Sequence, residues 1–183
     1  MNSLGCYFGP KVLSIVETRG RGIVHNLQLA NVLNSDGELE EKVPFELKVA
    51  ALFKDELRKN NIQVKEINLA LSGKDVIIRT FEMPPISKEE VMSAVSFEAI
   101  KYIPFKVEEL VIDYQIFLDK TLRRNIILLA GIKKEMLEKY YSIFNQLNLK
   151  IASVEYSAFS ALRLLKLAGF NTKGVIGVIT ADS

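Results

Sequence analysis

Ser72-Gly73-Lys74-Asp75-Val76-Ile77-Ile78-Arg79-Thr80-Phe81-Glu82-Met83-Pro84-Pro85-Ile86-Ser87-Lys88-Glu89-Glu90 is the stretch that decides the fold. Before it, Val64, Ile67, Leu69 and Leu71 largely alternate with polar or small residues, which predicts a strand, and Ser72 to Asp75 carry turn chemistry. Residues 76–81 are β-branched and aromatic, a second strand. Neither Pro84 nor Pro85 can donate to a sheet ladder, so the pair marks a junction between two lobes. Ser87 then starts a helix, because Glu90 three residues on completes a capping box.

Downstream, Val91, Ala94, Val95, Glu98 and Tyr102 mark the inner side of that helix, and Pro104 stops it. Residues 110–118 read as a strand, 119–125 as a charged turn, and 125–132 as an apolar strand that must be central. Met136, Tyr140, Phe144 and Leu147 recur at helical steps, and Asn148 closes that helix. Residues 149–155 are extended and 157–167 helical, with Gly169 at the C-terminal position that favours glycine. Residues 174–179 predict one more buried strand, which implies that further sequence follows it.

Upstream, residues 11–16 and 22–33 predict a hairpin turned by glycines, and 34–37 a polar loop. Phe45, Val49, Leu52, Phe53 and Leu57 form one helical face that Asn60 and Asn61 end. Residues 1–10 carry neither a basic start nor the apolar run of a signal peptide and read as a loose segment. Two α/β modules result, one over residues 10–72 rejoined by 149–183, the other over 75–147. One lobe is inserted into the other.

The chain has 183 residues, with 24 Lys plus Arg against 22 Asp plus Glu, one His and one Cys. A net charge of +2 does not make nucleic acid a default partner. One Cys excludes a disulfide framework and a Cys-based zinc site, and a single His with no local Cys or His partner argues against a His-rich metal centre and a His-based triad. No apolar run approaches the ~20 residues of a membrane-spanning helix. These observations predict a cytoplasmic protein.

Several pieces in order carry a family resemblance: Ser72-Gly73, Val76-Ile77-Ile78-Arg79, Glu82-Met83-Pro84, Glu89-Glu90, Glu98-Ala99, Lys101-Tyr102-Ile103-Pro104-Phe105 and Asp113-Tyr114-Gln115. Leu128-Leu129-Ala130-Gly131, Lys133-Lys134, Val154-Glu155 and Phe159-Ser160-Ala161-Leu162 continue the pattern. It resembles the PilM family, actin-like proteins of type IV pilus assembly related to the cell-division protein FtsA. The resemblance implies an α/β (α+β) fold: a ribonuclease-H-like subdomain 1A over residues 10–72 and 149–170, with an inserted FtsA-type 1C subdomain over 75–147. Residues 174–183 would begin a truncated or missing second domain.

The same resemblance implies a scaffold rather than an enzyme. It would bind the cytoplasmic tail of a bitopic, PilN-like inner-membrane protein in the groove between 1A and 1C, by laying an apolar peptide there. It would thereby link assembly ATPases to the envelope, peripherally associated with the inner membrane, with self-association left open. The alternatives are the cytoplasmic domain of the type II secretion L protein, which resembles this fold, and a nucleotide-switched actin-like ATPase.

In the family the first strand runs into a phosphate-binding turn of the form Asp-Ile-Gly-Ser-Ser-Ser-Ile-Lys. Taking residues 11–16 as the first strand places that turn over Glu17, Thr18, Gly20 and Gly22, a degenerate loop with Val16 at the aspartate position. Arg19-Gly20-Arg21-Gly22 then reads either as a modified phosphate cradle or as a solvent-facing hairpin turn, the latter favoured. No resident cofactor is expected, and ATP with Mg²⁺ is left to a full-length protein carrying both loops. No catalytic or metal-binding residue is assigned: Glu89, Glu90, Glu98 and Asp113 read as capping and surface groups, His25 as structural, and Cys6 as incidental. Tyr102, Ile103 and Phe105 are the candidate partner-binding residues, with burial of the helix end as the competing reading.

Overall fold

The computed structural model describes residues 2–9, 12–20, 22–30, 44–73, 76–119 and 121–170. The chain divides into two compact units, one taking residues up to Ser72 and from Lys139 onward, the other Gly73–Glu138. The predicted strand at 174–179 lies outside the described residues.

In the first unit β1 (Asn2–Phe8), β2 (Val12–Arg19) and β3 (Gly22–Ala30) form an antiparallel meander. After α1 (Phe45–Lys59), β4 (Glu66–Leu71) pairs parallel with β1, and β8 (Lys150–Tyr156) pairs parallel with β4. The sheet order is β3-β2-β1-β4-β8. This corrects the sequence reading in one place. Residues 2–8 are not a loose segment but the middle strand, with Cys6 buried.

The register explains the core. Leu4, Cys6 and Phe8 stand beside Ile67, Leu69 and Leu71 on one side, while Cys6 and Phe8 face Ile15 and Leu13 on the other. All of these are buried, because alternate residues of neighbouring strands share one face. Onto that face α1 brings Val49 and Phe53, and α3 (Lys134–Asn145) brings Tyr140, Ile143 and Phe144. The Phe144 ring meets Phe53 and Phe8 edge to face, with centroids 5.3 and 6.1 Å apart. Each such pair adds about 0.5–1.5 kcal/mol beyond the area it buries. From Lys139 on, α3 therefore belongs to the first unit, whereas the sequence reading put the whole helix in the insertion. The opposite face carries a polar row, in which Ser153 Oγ donates to Asn68 Oδ1 at 2.8 Å and Asn68 Nδ2 to Ser3 Oγ at 3.0 Å.

The second unit is a three-stranded antiparallel sheet in the order β5-β7-β6, made of β5 (Ile77–Met83), β6 (Leu110–Asp119) and β7 (Arg124–Lys133). Between β5 and β6 in sequence lies α2 (Lys88–Ala99). Val91, Val95 and Ala99 of α2 pack with Phe81, Met83, Leu110, Ile127 and Leu129 into one core. The Ser87 cap takes a different form from the expected box. Its hydroxyl donates to Glu90 Oε2 at 2.9 Å rather than serving a backbone amide. The helix also ends before Pro104: the amides of Lys101 and Tyr102 turn back to Glu98 and Ala99.

Candidate partner-binding surface and the first hairpin

The last turn of α2 and the segment after it separate the three candidate partner residues. Ile103 is buried among Val95, Ala99 and Leu129 in the second unit's core, so it is removed from the candidate surface. Tyr102 and Phe105 stay exposed at 41% and 36%. The Tyr102 ring stacks on Phe81 with centroids 5.2 Å apart and planes 7° apart, and its carbonyl accepts from Arg79 Nε at 3.2 Å. The Lys133 ammonium stands 3.8 Å from the Phe105 ring centre, a cation–π arrangement. Both rings are thus held in place while presenting a face to solvent.

Two further residues belong with them. Phe97 and Ile100 are 69% and 61% exposed, on the side of α2 away from fully buried Val95. At 100° per residue Phe97 and Ile100 project opposite Val95. A helix apolar on both sides leaves one side without a partner inside its own unit. The sequence signal was present: Phe97 and Ile100 break the polar side of a helix whose inner positions were already assigned to Val91 and Val95.

The expected phosphate loop behaves differently. Glu17 ends the buried row of β2 with 3% exposure, accepts from Asn2 Nδ2 at 2.9 Å and pairs with His25 Nδ1 at 2.8 Å. Arg19 Nε donates to Asn2 Oδ1 at 3.1 Å, and Thr18 Oγ1 reaches the Ser3 carbonyl at 3.5 Å. Gly20 adopts φ +62° at the open tip of the β2–β3 turn, and Gly22 is exposed at the start of β3. Glu17, Thr18, Gly20 and Gly22 therefore build a hairpin between the second and third strands. Both carboxylate oxygens of Glu17 are engaged, one by His25 of β3 and the other by Asn2 of β1.

Since the first strand is β1, the turn that follows it begins at Gly9, so the motif that the family resemblance implies would fall on Tyr7-Phe8-Gly9. Tyr7 would then stand at the aspartate position. Its ring lies over Gly9, so close that a Cβ there would stand 2.7 Å from it. The described part of this turn supplies no carboxylate for a Mg²⁺ shell, and a phenol ring occupies space beside its glycine. Tyr7, Phe8 and Gly9 themselves offer no carboxylate to a cation. Among the described residues no three His, Cys, Asp or Glu side chains converge as a metal site.

The family described as type IV pilus assembly protein PilM matches residues 11–171. Among solved structures, the chain is similar to one in a PilM–PilN type IV pilus biogenesis complex, with a TM-score of 0.76, 22% identity, 91% of this chain and 50% of that one covered. It is also similar to the cytoplasmic domain of EpsL, an inner-membrane component of the type II secretion system of Vibrio cholerae. There the TM-score is 0.60 and the identity 12%, over 85% of this chain and 57% of that one. The chain spans about half the length of the structures it matches. What the chain shares with both is a mixed α/β fold.

Proposed function

The chain belongs to the PilM family of type IV pilus assembly proteins, and from that premise we propose that it is a scaffold binding the cytoplasmic tail of a PilN-like inner-membrane protein. The observation that carries this reading is the exposed apolar set Phe97, Ile100, Tyr102 and Phe105 on a unit whose own core is already complete. Such a set suits a short apolar segment anchored by a few large side chains. The similar chain comes from a PilM–PilN complex, which supports a tail of that kind as the occupant.

The scaffold works without nucleotide turnover. Tyr7 stands where a Mg²⁺-organising carboxylate would be needed, and Glu17 is spent on His25 and Asn2. Coupling the tail to an assembly ATPase is the remaining part of the proposal, and it places the protein at the cytoplasmic side of the inner membrane. No described helix is long and apolar enough to cross a membrane. The type II secretion reading stands second, since the likeness to EpsL is weaker, 0.60 against 0.76.

The test is a calorimetric titration of the full chain with a synthetic PilN-like tail, with and without Mg²⁺ and ATP. Binding of the same strength in both conditions, weakened about tenfold or more by Phe97→Ala or Phe105→Ala, is expected. Binding that appears only with nucleotide, or that neither substitution changes, would overturn it.

A further inference from the structure

β6 is a ten-residue edge strand of the second unit. It contains no proline or lysine, and its pairing with β7 runs without a bulge from Leu110 to Asp119. Long, regular, apolar edges invite another strand, and proteins that keep them single guard them with lysine, proline or bulges. Here Val111, Ile116, Phe117 and Leu118 are 38–58% exposed.

Two observations show which backbone groups face the open side. Asp113 Oδ1 accepts the Tyr114 amide at 2.8 Å, so that amide is not spent on β7. On the far edge the Ile78 carbonyl accepts from Arg79 Nη1 at 2.8 Å, so Ile78 faces away from β7 and Arg79 faces Leu129. Leu129 therefore serves β5, and Tyr114, opposite it on β6, points outward. By the alternation of a strand, so do Ile112, Ile116 and Leu118.

We propose that β6 pairs antiparallel with β6 of a second copy of this chain, with Tyr114 on the two-fold axis, joining two three-stranded sheets into one. The sequence of the strand is self-complementary in this register. Leu110 faces Leu118 of the second copy, Ile112 faces Ile116, and Tyr114 faces Tyr114. On the other face Val111 meets Phe117 and Asp113 meets Gln115. The outward amides of Ile112, Tyr114, Ile116 and Leu118 meet outward carbonyls, while the Leu110 amide stays with the Val107 carbonyl of its own chain. Apolar side chains meet apolar ones, and each carboxylate meets a side-chain amide.

Charge selects this register over its neighbours. Sliding one strand by two residues in one direction puts Asp113 against Asp113, and in the other puts Asp113 against Phe117. An in-register parallel pair also stacks Asp113 on Asp113. Like charges directly opposite one another destabilise a strand pair. In the single chain Asp113 caps the Tyr114 amide; on pairing, the Tyr114 carbonyl of the second copy takes that amide and the carboxylate turns to Gln115.

Sedimentation of the full chain over a concentration series tests this, using the wild type, Gln115→Glu and the double variant Asp113→Lys with Gln115→Glu. Wild type is expected to dimerise reversibly. Gln115→Glu sets two carboxylate pairs face to face and is expected to lower the association constant about tenfold. The double variant restores opposite charges and is expected to regain dimerisation. Both positions are exposed, and unchanged circular dichroism confirms folding. A second measurement reads the axis directly: Tyr114→Cys is expected to form a disulfide with itself across the two-fold on mild oxidation, and Val111→Cys is not. A wild type that stays monomeric, dimerisation indifferent to Gln115→Glu, or cross-linking at 111 rather than 114 would overturn the proposal.

Discussion

Glu17 Oε2 sits 2.8 Å from His25 Nδ1 across the β2–β3 hairpin, while Asn2 Nδ2 donates to the other carboxylate oxygen at 2.9 Å. One buried carboxylate thus ties the first three strands together. Glu17→Ala leaves Asn2 and His25 without that acceptor and is expected to cost about 1–3 kcal/mol. Urea unfolding measures it. A midpoint indistinguishable from wild type would show that the bridge contributes nothing.

Cys6 lies in the middle strand, and burial pushes its thiol well above the ordinary cysteine range. The reactive species is the thiolate, so a thiol reagent is expected to label Cys6 only as fast as the protein opens. The labelling rate should rise with denaturant in step with unfolding. Immediate complete labelling in native buffer would mean that β1 is not seated between β2 and β4.

Ile103 and its neighbours should separate stability from binding. Ile103→Ala removes a buried side chain from the second unit's core and is expected to cost about 2–5 kcal/mol. Tyr102→Ala loses one ring stack and is expected to cost about 1 kcal/mol while weakening tail binding. Thermal melts and calorimetry on both variants decide the order. Binding lost in a stably folded Ile103→Ala protein, with Tyr102→Ala unaffected, would reverse the assignment.

Glu155, at the end of β8, joins that strand to α4 (Ser157–Leu167). Desolvation raises its pKa, but hydrogen bonds from Arg163 at 2.6 and 3.1 Å and from Ser160 at 2.5 Å outweigh it, so the net shift is downward. A depressed folded-state pKa stabilises the fold above the ordinary glutamate range. That contribution is lost as pH falls through the depressed value. The melting temperature of wild type is therefore expected to fall more steeply on acidification than that of Glu155→Gln. Parallel curves would count against the bridge.

Helix positions were legible where the period was strong. The apolar face of α1, with Val49 and Phe53, and that of α3, with Tyr140 and Phe144, follow from spacing alone, because 3.6 residues per turn bring those side chains to one side. The central place of β7 was legible too, since a strand buried between two others reads as a continuous apolar run. The site was harder. Tyr102, Ile103 and Phe105 look alike as a sequence, and only packing against Val95 and Leu129 takes Ile103 inside.

Past the first ten residues the sequence by itself marked the helices and strands of the described segments, the apolar faces of α1 and α3, and the family pattern between residues 72 and 165. These are local matters of period, cap and turn, and the chain carries them within a few residues. The tertiary structure alone decided that residues 2–8 fill the middle of the sheet, and so that the first turn falls at Gly9 with Tyr7 beside it. It also decided that β6 is left at an edge. Strand order is settled by which distant segments pair, Leu4 with Ile67 and Arg79 with Leu129, and no local periodicity encodes a partner so far along the chain.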